Sequence, residues 1–180
     1  MTVSTERATL PPTELIVDDE LSLVRVAPLD GPALYELVDE NREFLAQTLY
    51  FPRFFTPDKA SQECFRGYNA MVAGDGLNYW TVINGEKVGN VQLFPVGIDQ
   101  PRSWAMSYWL AESAVGKSVA SRATKAAAGY SFKQRRLMDI QLSIRHDNVA
   151  SQRVALSLGA QIIESGSTGF DYDNWVVLPR

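Results

Sequence analysis

The stretch Ser107-Tyr108-Trp109-Leu110-Ala111-Glu112-Ser113-Ala114-Val115-Gly116-Lys117-Ser118-Val119-Ala120 is where the hydrophobic period of the chain changes. Before it, Trp104, Met106, Tyr108 and Leu110 fall on alternate positions, the spacing of a strand with one apolar face. After it, Val119, Ala123, Ala126, Ala127 and Tyr130 recur at helical spacing. A strand that runs through a small-residue turn into a helix leaves the first helical N–H groups unpaired at the positive end of the dipole. That arrangement suits a phosphate. Lys117 in the turn and Arg122 in the first helical turn would add positive charge. Alone, the signal is weak, because small residues at a helix start usually make only a tight turn.

Gly116-Lys117-Ser118 invites comparison with the end of a nucleotide-binding P-loop. That motif needs a glycine five residues earlier, where Ala111 stands, and a parallel sheet around it. The upstream pattern is antiparallel instead. Asn78–Ile83 and Val88–Phe94 read as strands joined by the hairpin dipeptide Asn84-Gly85, and Ser103–Leu110 follows as a third. Further upstream, Leu21–Val26 reads as a strand and Asp30 as the cap of a helix from Gly31. A short helix over Glu43–Thr48 precedes the aromatic stretch Tyr50–Phe55, and Thr56-Pro57-Asp58 opens a helix running to Met71. Downstream, Ile140, Leu142 and Ile144 alternate with polar residues, and Asn148 caps a helix carrying Ala150, Val154 and Leu158. Gly159 ends that helix, and strands over Gln161–Glu164 and Phe170–Val177 close the chain. Residues 1–14 read as a loose tail and 15–180 as one α+β domain, without repeat or linker.

Bulk composition removes several function classes. With 17 basic and 21 acidic residues the net charge is −4, which disfavours a general nucleic-acid or membrane-surface role. Cys64 is the single cysteine, so no internal disulfide forms, and nothing around it has metal-ligand spacing. No apolar run is long enough to span a bilayer and the first residues lack an apolar signal core, so a cytoplasmic protein is expected.

The second informative element is His146-Asp147-Asn148-Val149-Ala150-Ser151-Gln152-Arg153, which follows a strand and opens a helix. Taken together, the two elements and their separation resemble the GNAT superfamily of N-acetyltransferases, in particular the RimJ/RimL type. Tyr108-Trp109-Leu110, then Gly116, Lys117 and Ala120, then Asn148, Ser151, Val154 and Gly159 carry the likeness. It extends upstream through Pro52, Leu45 and Asn41 to Leu23. Two positions depart from the pattern: Val115 replaces a Gln or Arg, and Ser118 replaces a second glycine.

The resemblance implies a mixed, mostly antiparallel central sheet flanked by helices, with acetyl-CoA as co-substrate and no metal. Trp109, Leu110 and Ala111 would face the pantetheine arm; Val115, Gly116, Lys117, Ser118, Val119 and Ala120 would hold the pyrophosphate. Asn148 would bond the arm, and Ser151 would protonate the departing thiolate. Asn41, Tyr50, Phe51, Trp80, Trp104 and Tyr108 would line the amine acceptor's site, and a homodimer is expected. No general base stands out: His146 reads as a loop residue and Glu112 is a weaker candidate. That absence suits a low-pKa α-amine on a protein or peptide better than lysine. Small-molecule amines, antibiotics and aminoacyl-nucleotides among them, remain the alternative acceptors, and a catalytically degenerate binding module is the opposing reading.

Overall fold

A computed structural model describes residues 10–165 and 172–179. The chain forms one eight-stranded sheet. Its strands are β1 (Glu14–Ile16), β2 (Leu21–Arg25), β3 (Leu77–Ile83), β4 (Glu86–Pro95), β5 (Ser103–Leu110), β6 (Asp139–Arg145), β7 (Gln161–Ser165) and β8 (Tyr172–Val177). They lie in the order β1-β2-β3-β4-β5-β6-β8-β7, and every neighbouring pair is antiparallel except β5–β6. The mixed, mostly antiparallel sheet with flanking helices is the architecture expected from the sequence. Phe170, read as the start of the last strand, lies outside the described residues.

Helices α1 (Gly31–Glu40), α2 (Arg42–Leu45) and α3 (Pro57–Ala73) cover one face of the sheet, where Val26, Val38, Cys64, Trp80 and Val82 form a core. Helices α4 (Val119–Arg135) and α5 (Val149–Ser157) cover the other, over a larger core that includes Leu23, Tyr79, Leu93, Met106, Ala123 and Ile140. Thr56 caps α3 through Oγ1 to the Lys59 N–H at 3.3 Å, and Gly74 ends it at φ +86°. The Asn84-Gly85 turn has positive φ at both residues, as its hairpin requires.

Three readings need correction. A β1–β2 hairpin precedes the helices, its turn held by Asp18 Oδ1, which accepts from the Glu20 and Leu21 N–H groups. The loose stretch therefore ends before residue 14: Pro11 is buried, and the carbonyls of Pro11 and Pro12 accept from Arg25 and Tyr79. Asp30 precedes α1 but does not cap it with its side chain; its carboxylate takes the Ala27 N–H, Trp80 Nε1 and Lys87 Nζ instead. Burial works to raise the Asp30 carboxyl, yet these three donors outweigh it and hold it below the ordinary 3.8. The helix read over Glu43–Thr48 is the single turn α2, Arg42–Leu45.

Candidate active site

Parallel pairing between β5 and β6 is confined to Ser103–Ala105 against Asp139–Gln141. Beyond those three residues the strands diverge, so the β5 edge from Met106 to Leu110 and the β6 edge from Leu142 to Arg145 have no pairing with each other. Edge N–H and C=O groups left open inside a sheet are a template for an extended ligand.

Two clefts meet in this gap. The first, about 480 Å³, lies beside the N-termini of α4 and α5 and is lined by Trp109, Leu110, Val115, Gly116, Ser118, Val119, Ala120 and Ser121, among others. The second, about 400 Å³, reaches Phe94, Ala105 and Ser107 on the sheet face away from α4, and continues to Tyr50, Arg145 and Tyr172. Thr48, Leu49, Tyr108, Asn148 and Ser151 line both. The junction is therefore a wall shared by two separate approaches.

The local backbone explains the first cleft. Gly116 has φ +76° with open space where a Cβ would stand, and Ser118 sits at φ +57° as the residue before α4. The first intrahelical bond runs from Arg122 N–H to the Ser118 carbonyl at 3.1 Å, so the N–H groups of Val119, Ala120 and Ser121 precede the ladder. A left-handed serine is strained by about 1–2 kcal/mol, and that strain turns the chain sharply into the helix.

At the junction, Asn148 Oδ1 caps α5 by accepting the Ser151 N–H at 3.1 Å, which leaves its Nδ2 hydrogens to offer. The Ser151 hydroxyl has no partner among the described residues; the cap is Asn148's work. Tyr108 Oη donates to the Ser151 carbonyl over a long 3.4 Å. Burial pushes the Tyr108 phenol up to about 12, with the Ser151 bond opposing only weakly. It therefore stays a protonated donor across the physiological range. Among the described residues, neither cleft is lined by a carboxylate or an imidazole.

An acetyltransferase (GNAT) domain model matches residues 20–161. The chain belongs to the GNAT acetyltransferases. It is an N-acetyltransferase that uses acetyl-CoA. The ribosomal-protein-serine acetyltransferase of Escherichia coli (strain K12) is 28% identical over 152 residues, covering 82% of this chain and 83% of that protein. Among solved structures, the ribosomal L7/L12 α-N-protein acetyltransferase RimL in complex with coenzyme A superimposes with a TM-score of 0.83 at 20% identity, covering 92% of this chain and 97% of that one. The microcin C7 self-immunity acetyltransferase MccE, in complex with acetyl-CoA and AMP, gives 0.82 at 17%, covering 94% and 98%.

The first cleft of this GNAT chain fits acetyl-CoA on its own geometry: a gap between unpaired strand edges for an extended arm, and free helix-start amides beside a glycine with room around it. Of the residues named from the sequence for the cofactor, Trp109, Leu110, Val115, Gly116, Ser118, Val119, Ala120 and Asn148 line it. Ala111 and Lys117 do not. Ala111 is buried with its N–H on the Val88 carbonyl at 2.7 Å, and Lys117 Nζ folds back onto the Ser113 carbonyl at 2.9 Å. Arg122 is also drawn away, paired with Asp18 at 2.6 Å, and Arg153 on α5 is the cation on the lining. Arg153 closes the His146–Arg153 element quoted from the sequence and was not named there as a cofactor contact.

The acceptor list fares differently. Tyr50 and Tyr108 line the second cleft. Trp80 is fully buried with Nε1 on Asp30 at 2.8 Å, and Trp104 is 3% exposed in the larger core, so neither lines either cleft. Asn41 uses both ends of its amide as a staple: Nδ2 donates to the Leu37 carbonyl, and Oδ1 accepts the Glu112 N–H at 3.0 Å. Phe51 packs against Phe55 and Trp109, outside the lining. Phe44, Thr48 and Leu49, from α2 and the turn after it, line the first cleft and were not singled out from the sequence; Leu45, part of the likeness noted there, lines it with them. His146 bonds Asp173 at 2.9 Å and lines neither cleft, and the Cys64 thiol is buried and pushed up to about 11.

Proposed function

We propose that the acceptor is the α-amine of a protein or peptide N-terminus, entering by the cleft of Tyr50 and Tyr172 and meeting the acyl group beside Ser151. The observation that carries this is the chemistry of the junction: three hydroxyls (Thr48, Tyr108 and Ser151) and the Asn148 carboxamide, and among the described residues no carboxylate or imidazole to act as base. An α-amine with pKa near 7.7–8.0 is already neutral in roughly one molecule in ten at pH 7, whereas lysine is so in fewer than about one in a thousand. The named activity of the Escherichia coli relative, a ribosomal-protein-serine acetyltransferase, supports the same class, and a cytoplasmic setting fits it.

In this reading the co-substrate supplies a thioester carbon and a thiol leaving group. Asn148 Nδ2 and the open β5 edge hold the arm. The Tyr108 phenol spends its one O–H on the Ser151 carbonyl and so steadies the start of α5 at the cleft wall. As the tetrahedral intermediate collapses and the C–S bond breaks, the Ser151 hydroxyl passes its proton to the leaving sulfur and takes one back from the water that has received the amine's proton.

The test compares a free N-terminal peptide with the same peptide blocked at its α-amine and carrying one lysine, between pH 6 and 9. The α-amine is expected to be favoured at least about a hundredfold at pH 7, with kcat/KM rising through one pKa near 7.8 to a plateau. Faster acetylation of the lysine side chain refutes the reading.

A further inference from the structure

The acceptor cleft has one charged residue among the described residues that line it, and that residue is Arg145. Arg145 ends β6 where the strand has diverged from β5, three residues before Asn148. Its guanidinium donates from Nη1 to the Gln47 carbonyl at 3.3 Å and from Nη2 to the Asp147 carboxylate. An arginine carries five N–H donors in a planar fork, so these two bonds leave others unspent. Asp147 is 64% exposed and does not line the cleft; its charge is well solvated, while the Arg145 side chain is 34% exposed and stands on the wall. The surrounding wall is neutral: Tyr50, Tyr172, Ser107 and Ser143 offer hydroxyls and aromatic faces.

A cleft of this kind repels a cationic acceptor and rewards an anionic one. Resting on the α-amine reading above, we propose that Arg145 selects N-termini that carry an aspartate or glutamate within the first few residues. With the amine at Ser151, an extended chain advances about 3.3–3.6 Å per residue, so a side chain early in the peptide is the one that passes the guanidinium. The acceptor carboxylate pairs with the N–H groups that Gln47 and Asp147 leave free. Basic N-termini and polyamines meet a like charge, and the one carboxylate beside it, Asp147, lies outside the lining and is already engaged with Arg145.

Three peptides test this with the full-length enzyme and acetyl-CoA. They are identical hexamers starting with serine, with Glu, Gln or Lys at positions two to four, and product is measured as α-acetylated peptide by mass spectrometry. The Glu peptide is expected to exceed the Lys peptide by about tenfold in kcat/KM, with the difference in KM and shrinking at high salt. Arg145→Gln should collapse that ratio towards one. Asp147→Asn, outside the cleft, should widen it by removing the competing carboxylate, and this variant carries the test if Arg145→Gln fails to fold. Equal rates for all three peptides, a ratio that survives Arg145→Gln, or a ratio narrowed by Asp147→Asn overturns the assignment while leaving the α-amine reading standing. If none of the peptides is acetylated, both fall.

Discussion

Gly89 offers the most direct way to perturb the cofactor cleft from outside it. It lies opposite Leu110 in the β4–β5 ladder, where the two backbones approach closely. A Cβ added there would meet the Trp109 carbonyl oxygen first, then Leu110 Cδ2 at 2.8 Å and Leu110 Cα at 3.0 Å. Two of these three atoms are backbone, so no rotamer change relieves the crowding and the end of β5 must move. Ordinary carbon contacts lie near 3.5–4.0 Å, and the Trp109 oxygen, the nearest atom, sets the required shift at about 1 Å or more. Gly89→Ala should therefore destabilise the fold by about 1–3 kcal/mol, as overpacking does. For a chain of this size a loss of about 2 kcal/mol corresponds to a melting point lowered by roughly 4–8 °C. The same movement displaces the β5 edge at Trp109 and Leu110, both on the cofactor lining, so KM for acetyl-CoA should rise several-fold more than KM for the peptide. Differential scanning fluorimetry and initial-rate kinetics give the two readings. An unchanged melting point would refute the steric argument. A lowered one with unchanged acetyl-CoA KM would refute the role of the β5 edge.

Two further substitutions separate chemistry from shape. Ser151→Ala should lower kcat by about a hundredfold while leaving KM for acetyl-CoA and the melting point close to the parent, because Asn148 and not the serine hydroxyl caps α5; a fall of less than threefold would remove Ser151 as proton donor. Ser118→Gly should raise the melting point by roughly 2–4 °C, since strain of about 1–2 kcal/mol at φ +57° is released against a smaller entropic loss. A destabilised variant would mean that the serine hydroxyl or Cβ contributes more than the backbone strain removes.

The period change at Ser107–Ala120 marked the strand, turn and helix that border the first cleft, because a strand and a helix that meet at a turn leave their signatures in adjacent residues. The acceptor side was less legible. Leu77–Val82 on β3 is buried at every position, helices covering both faces, so alternation could not tell which way Trp80 points. Aromatic identity alone then placed Trp80 and Trp104 in a pocket, although each completes a core. The contribution of Thr48 and Leu49 depends on a long-range approach of the α2 turn to the gap, which no local spacing encodes. Lys117 and Arg122 had the right charge and sequence position, but each finds a nearer partner in Ser113 and Asp18. The three-residue β1 is too short to carry a periodicity.

Only three rungs of parallel pairing stitch the two halves of the sheet together, so a ligand lying along the open edges would touch both halves. Acetyl-CoA bound in that gap would brace the sheet as well as react. By mass action, cofactor at a hundred times its dissociation constant would stabilise the native state by about 2.7 kcal/mol. A cell short of acetyl-CoA would then hold a looser enzyme, more open to proteolysis, so that the supply of the donor sets how long the catalyst survives as well as how fast it turns over.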